Sequence, residues 1–173
     1  GWVKRTTDLV LASAALVVCA VPMLAIALAI RCSSPGPVFF RQRRYGLDGK
    51  EILVWKFRSM RVLENGSTVT QASKDDPRVT PLGKFLRRTS LDELPQLWHV
   101  VGGSMSLVGP RPMIPGICER MDDDFRSIRQ LAKPGVTGLW QISEDGTRLV
   151  LEATHYDERY VEWASPGLDL WIV

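Results

Sequence analysis

At 173 residues, 45% hydrophobic and 24% charged, the chain is long enough for one domain with a real core, too apolar for disorder and too charged for an ordinary polytopic membrane protein. Its formal charge of +3 conceals a gradient: residues 1–63 carry ten basic and three acidic side chains, net +7, whereas residues 64–173 carry twelve and sixteen, net −4. A basic first third suits an anionic surface, lipid or nucleic acid. Three cysteines, Cys19, Cys32 and Cys118, with no CxxC pair, support neither a disulfide framework nor structural zinc and favour a reducing compartment. The first residue is Gly1, which points to a tag remnant or to a domain cut from a longer protein.

From Leu9 to Ile30 run 22 residues without a charge, about 33 Å as a straight helix and so long enough to cross a bilayer. Arg31 follows directly with no small-residue cleavage site, which disfavours a signal peptide. Pro22 inside the run predicts a kink or break. Lys4 and Arg5 precede the run and Arg31, Arg41, Arg43 and Arg44 follow it, and basic flanks favour keeping both ends on the cytoplasmic side. The favoured reading is a helix, a break and a second helix that dip into one leaflet and return. It ranks ahead of a single span and of a helix buried in a soluble core.

Beyond this segment, Val38 to Gln42 and Ile52 to Phe57 are β-rich runs around the turn signal Asp48-Gly49, predicting a hairpin whose loop carries Arg43, Arg44 and Lys50. Residues 63–80 read as a long polar loop. Helical character returns from Leu82 to Val101, split by Thr89-Ser90, and residues 110–116 are proline-stiffened and extended. Ile117, Met121, Phe125 and Ile128 fall at helical spacing, predicting an amphipathic helix closed by Lys133-Pro134-Gly135. A last helix is predicted over 148–164 with Leu149, Tyr156, Tyr160 and Trp163 along one side. The sum is one mixed α and β domain, mostly helical, docked against a membrane by its N-terminal segment.

The stretch from Arg87 to Leu97, RRTSLDELPQL, is the most informative. Its ordinary explanation is a capping box, Ser90-x-x-Glu93, with Asp92 at the positive end of a helix dipole. The same geometry keeps a carboxylate ionised beside backbone N–H groups and two arginines, Arg87 and Arg88, that can hold a phosphate. An ionised Asp92 beside an electrophilic phosphorus is a competent nucleophile, and adjacent carboxylates can share a magnesium ion. Both explanations hold at once if Glu93 caps and Asp92 reacts. Arg111, between Pro110 and Pro112, is presented from a stiff segment. Lys56 and Arg58 leave the second strand, where they serve either a phosphate or an ordinary solvated edge. His99 and Trp140 read first as packing or surface residues, and His155 has no nameable partner.

Together, SPGPVFFRQ (residues 34–42), KFRSM (56–60), TSLDELPQLW (89–98), SMSLVGPRP (104–112) and KPGVTGLWQ (133–141) resemble the bacterial sugar transferases, the monotopic phosphoglycosyl transferases. The resemblance runs from about Lys4 to Leu170. It implies Asp92 as nucleophile and Glu93 as its catalytic partner, both serving Mg²⁺, with Arg87 and Arg111 as phosphate-binding arginines. Pro22 matches the proline that breaks the family's re-entrant helix. The implied organisation is α+β: residues 1–33 as membrane helix with basic flanks and 34–173 as a cytoplasmic catalytic domain, one integrated unit. The implied substrates are a UDP-sugar and a polyprenyl phosphate, usually undecaprenyl phosphate, handled at the cytoplasmic face of the bacterial inner membrane to initiate cell-surface glycan synthesis. Membrane lipids are the expected surroundings, nucleic acid is not a partner, and a homo-oligomer is compatible with the sequence. Two stretches depart from the family pattern: Val21 precedes Pro22 where Ser is common, and ISEDGTRL follows Gln141 where a Gly-Arg-Asn-type segment is common.

Two other classes fit parts of the sequence. A non-catalytic membrane-bound partner would use the basic hairpin to bind anionic lipid and the carboxylates only as a cap. Nucleic-acid binding is disfavoured, because the basic residues adjoin an apolar run that no nucleic acid uses.

Overall fold

A computed structural model of the chain describes residues 1–61, 76–144 and 154–173. Most of the polar loop expected over 63–80, the divergent segment from residue 145 and the start of the last helix with Leu149 lie outside the described residues. The architecture is α+β and mostly helical, with one two-stranded antiparallel sheet.

Helix α1 spans Trp2–Ser33. The helix continues through Pro22 instead of stopping there. The proline ring removes one N–H and so deprives the Val18 carbonyl of its usual donor, while helical turns continue on both sides. An 18-residue window of α1 has a mean hydropathy of 2.6, and only 6% of it is buried. Val17, Val18 and Val21 are 77%, 76% and 77% exposed. A helix in a soluble core would hide such side chains, so that reading fails.

The hairpin forms from β1 (Phe39–Tyr45) and β2 (Glu51–Phe57). Asp48 and Gly49 both adopt the left-handed conformation, φ 55° and 69°, the backbone that Asp-Gly favours in a tight turn. The Gly46 N–H closes the loop on the Lys50 carbonyl at 2.8 Å. Strand β1 continues past Gln42, so Arg43 and Arg44 lie on the strand and not in the loop.

Helix α2 (Pro81–Arg88) opens with Thr80 accepting from the Gly83 N–H at 2.9 Å and Pro81 in the first turn. A 3₁₀ helix over Leu91–Gln96 and helix α3 (Leu97–Gly102) follow, then β3 (Ser106–Val108). The single amphipathic helix expected from Ile117 onward is two: α4 (Pro115–Cys118) and α5 (Asp123–Gln130). Asp122 divides them by accepting from the Asp124 and Phe125 N–H groups, as an N-cap aspartate does. Strand β4 (Gly135–Thr137), α6 (Leu139–Ile142), α7 (Thr154–Trp163) and α8 (Pro166–Ile172) complete the described order. Ser165 caps α8 ahead of Pro166, a helix that periodicity alone did not reveal. On α7, Tyr160 is buried whereas Trp163 faces outward, so the expected apolar side is narrower than predicted.

The chain divides into two compact units, residues 1–17, 42–54 and 96–173 in one, and 18–41 and 55–95 in the other. In the first, β3 and β4 pair in parallel, Ser106 opposite Gly135 and Val108 opposite Thr137. Strands of three residues are too short to show a period, and this ladder was not predicted. Its glycines are required by close backbone approach: a Cβ on Gly109 would lie 2.2 Å from the Lys133 carbonyl oxygen, and one on Gly135 would lie 2.2 Å from the Gly109 nitrogen. SLVGPRP and KPGVTG thus interlock through main chain, which side chains would separate. Val108, Tyr160 and Ile172 form one core of this unit, and Met113, Cys118, Met121, Phe125 and Trp140 form another.

The start of α1 is fastened within the same unit. Lys4 Nζ reaches Asp169 at 2.6 Å and the Val108 carbonyl at 3.1 Å, and Arg5 donates to the Val100 and Val101 carbonyls at 2.5 and 2.7 Å, the open end of α3. Buried Asp8 accepts from Ser106 Oγ at 2.8 Å and the Leu107 N–H at 3.1 Å. Lys4 and Arg5, expected as membrane-flanking charges, serve as anchors of the fold.

In the second unit, Ile30, Phe57 and Leu86 form the core, joined by Met23, Ile26, Phe39 and Leu94. Helix α2 lies directly on the Ser59 backbone, where a Cβ on Gly83 would come within 1.8 Å of the carbonyl oxygen.

Candidate active site

The break expected at Thr89-Ser90 is present, and its cause is backbone: Ser90 adopts φ 55°, turning the chain out of α2. The carboxylates that follow occupy the first turn of a 3₁₀ helix, with Pro95 inside it. The expected capping box takes a different form. The Glu93 N–H donates to the Ser90 carbonyl at 3.1 Å, and the Glu93 side chain accepts from Lys56 Nζ at 2.5 Å. Lys56 reaches Glu93 because it leaves β2 two residues after Val54, with Phe57 turned into the core beside it.

Asp92 is 8% exposed, and no ion pair holds it among the described residues, its own backbone N–H acting as a hydrogen-bond donor to the carboxylate. Burial pushes its carboxyl above the ordinary value and the neighbouring Glu93 charge adds to the rise, while Lys56 and Arg87 pull the other way. The expected pull of helix dipole and arginines toward the ionised form is present through Arg87, but desolvation outweighs it and the net direction is upward. Such a group is a poised one, since a cation or a phosphate-bearing substrate that displaces water changes its balance most.

Arg87 and Arg88 stand exposed in the last turn of α2, favourably placed at the negative end of that helix. Arg87 acts electrostatically on Asp92. Arg58 does not join this cluster. It is 5% exposed, and its guanidinium donates to the carbonyls of Pro35 at 2.8 Å and Ser34 at 2.7 Å, closing the chain just after α1. It locks the helix end, and phosphate would have to compete with those bonds.

Arg111 belongs to the other unit, where the carbonyls from Pro110 to Met113 are each held by a separate partner. Trp140 packs in the core with Phe125, and His99 contacts Ser104 Oγ through Nδ1 at 3.3 Å, burial lowering its affinity for a proton. His155 lies exposed beside the Tyr156 ring. The sequence analysis missed Arg129 and Asp157, a buried pair at 2.7 Å from α5 and α7. The only signal was Arg129 recurring four residues after Phe125 on the apolar side of a helix, where an unpaired arginine is rare.

Asp92 and Glu93 present adjacent hard oxygen donors whose mutual repulsion a divalent cation would relieve. That suits Mg²⁺, which takes one or two carboxylates and completes its shell with water and substrate phosphates.

Comparison with known proteins gives a consistent pattern. The family described as Bacterial sugar transferase matches residues 1–173. The UDP-glucose:undecaprenyl-phosphate glucose-1-phosphate transferase of Escherichia coli K12 is 47% identical over 98% of this chain and 38% of its own length. The UDP-galactose-lipid carrier transferase of Erwinia amylovora is 40% identical over 93% of this chain and 36% of its own. The exopolysaccharide production protein ExoY of Rhizobium meliloti is 38% identical over the whole chain and 83% of its own. The chain thus spans about two fifths of the length of the first of these relatives.

Proposed function

Because the chain belongs to the bacterial sugar transferase family, we propose that it is a phosphoglycosyl transferase moving a sugar-1-phosphate from a UDP-sugar to a polyprenyl phosphate, undecaprenyl phosphate above all, with release of UMP. The observation that carries this reading is the buried Asp92, held by no ion pair among the described residues, beside Glu93, Lys56 and Arg87. Asp92 Oδ attacks the β-phosphorus, the bond from that phosphorus to the bridging oxygen breaks, and UMP leaves with the oxygen. A polyprenyl phosphate oxygen then attacks the same phosphorus, the aspartyl bond breaks, and the carboxylate is regenerated with the polyprenyl diphosphate sugar as product. Lys56 holds Glu93 in place, Arg87 offsets charge on the phosphoryl oxygens, and Arg111 is read from the family resemblance as a further ligand of the donor's phosphates. Mg²⁺, held by Asp92 and Glu93, would neutralise diphosphate charge when bound. Names of relatives include both glucose and galactose donors, and UDP-glucose is the first substrate to test.

Helix α1 supplies the membrane attachment. Its ends are fastened to folded, polar parts of the chain, by Lys4, Arg5 and Asp8 at one and by Arg58 at the other, and the hairpin contributes residues to both units. Both ends of α1 thus continue into polar, folded chain, and basic residues flank the apolar run on either side, which favours a re-entrant path bent at Pro22 on the cytoplasmic face of the inner membrane. Membrane-impermeant labelling of Cys32 and of a Val3→Cys variant tests this, because labelling from opposite sides would contradict it.

The activity test is UMP release from UDP-glucose, Mg²⁺ and undecaprenyl phosphate, with capture of a labelled phosphosugar on the protein. Full turnover by Asp92→Asn would remove the nucleophile assignment.

A further inference from the structure

We propose that Arg129, oriented by Asp157, is a positioning residue for Arg111, a role that rests on the reading of Arg111 as a ligand of the donor's phosphates. The segment from Pro110 to Met113 lies outside the helices and strands, bridged in β fashion only at Met113 to Tyr45, and its two prolines carry no N–H. Its shape is fixed instead through four successive carbonyls. Pro110 accepts from the Gly135 N–H at 2.9 Å, Arg111 from Arg129 Nη2 at 2.7 Å, Pro112 from Arg44 Nη1 at 3.0 Å and Met113 from the Tyr45 N–H at 2.9 Å.

Of these four donors, Arg129 is the buried charge. It is 8% exposed, its Nε donates to Asp157 Oδ2 at 2.7 Å, and Asp157 is itself 2% exposed. The planar guanidinium fixes the angle between its two bonds, so Asp157 sets how Arg129 lies and Arg129 sets where the Arg111 carbonyl lies. A buried ion pair is a poor route to stability, since apolar replacement of both members is often neutral or favourable. Its position, bonded to the main chain of the arginine between two prolines, gives it a geometric task. A guanidinium aimed from a fixed backbone loses little freedom on meeting a phosphate, and looser support weakens donor binding before it slows chemistry.

The test compares UDP-glucose dependence of UMP release by the wild-type chain with that of Arg129→Met/Asp157→Leu, Arg111→Ala and the triple variant. The apolar double variant should fold with a melting temperature at or above wild type and show a KM raised about tenfold with kcat within about twofold. The triple variant should be no worse than Arg111→Ala alone, since both changes remove the same contact. Asp157→Asn, which keeps shape and loses charge, should raise KM in the same direction if the double variant folds poorly, and Arg129→Lys should recover part of the loss. A wild-type KM in both the double variant and Asp157→Asn, or a triple variant whose KM multiplies the separate effects, overturns the positioning role. Wild-type protein that releases no UMP overturns the transferase reading itself. An impaired Arg111→Ala beside unimpaired Arg129 and Asp157 variants overturns the positioning role alone.

Discussion

Two buried aspartates divide the labour of this molecule. Asp157, 2% exposed, is met by Arg129 at 2.7 Å, and although burial pushes its carboxyl up, the guanidinium opposes that rise by charge and hydrogen bond. Asp92, 8% exposed, has charges near it and no partner of that kind among the described residues. One carboxylate is committed to structure; the other is held at a desolvation cost that Lys56 and Arg87 offset only in part. That asymmetry separates a scaffold acid from a reactive one better than burial alone, since both are buried.

The sharpest way to break the comparison is to neutralise each acid in turn. Asp92→Asn should lower UMP release on the order of 10³-fold or more, as loss of a covalent nucleophile does, while leaving the melting temperature unchanged or higher. Asp157→Ala should act chiefly on stability, costing about 3–5 kcal/mol in denaturant unfolding because Arg129 is left buried and unpaired, and should touch UMP release only through a raised KM for the donor. If Asp92→Asn instead unfolds the protein, the division of roles fails.

Gly109→Ala tests the ladder that carries the scaffold side. With a Cβ 2.2 Å from the Lys133 carbonyl oxygen, it should destabilise by about 1–3 kcal/mol, read as a shifted denaturation midpoint. Lys56→Met tests the reactive side, where loss of the 2.5 Å pair with Glu93 should cost about 1–2 kcal/mol together with activity.

The smallest expected effect is in pH. Because the folded state raises the Asp92 pKa above its unfolded value, the folded chain binds that proton more tightly, and Asp92 lowers stability as pH rises from the unfolded pKa through the folded one. Activity runs oppositely, its acid limb lying above the ordinary carboxylate range because the nucleophile must be ionised. The stability advantage of Asp92→Asn over wild type should therefore grow with pH across that window. A pH-independent difference would place the rise elsewhere.

Much of this was legible in sequence because it is local. A charge-free run of 22 residues, an Asp-Gly turn, a break at Thr89-Ser90 and adjacent carboxylates after paired arginines each depend on a few neighbouring residues. The failures were non-local or too short to carry a period. The β3–β4 ladder joins residues 106–108 to 135–137, Arg58 turned out to close the end of α1, and Asp122 cut one periodic stretch into two helices.

By itself the sequence determined the apolar helix and the hairpin and singled out Asp92 and Glu93 as the acids to test, because hydrophobicity, turn preference and functional-group chemistry belong to the residues themselves. Only the tertiary structure decided which charges are used up and which remain poised: Lys4 on Asp169, Arg5 on the end of α3, Arg129 on Asp157, and Asp92 buried beside Lys56 and Glu93. Desolvation and pairing depend on what folds over a group, and most of those neighbours are distant in sequence, 28 residues apart for Arg129 and Asp157 and 165 for Lys4 and Asp169.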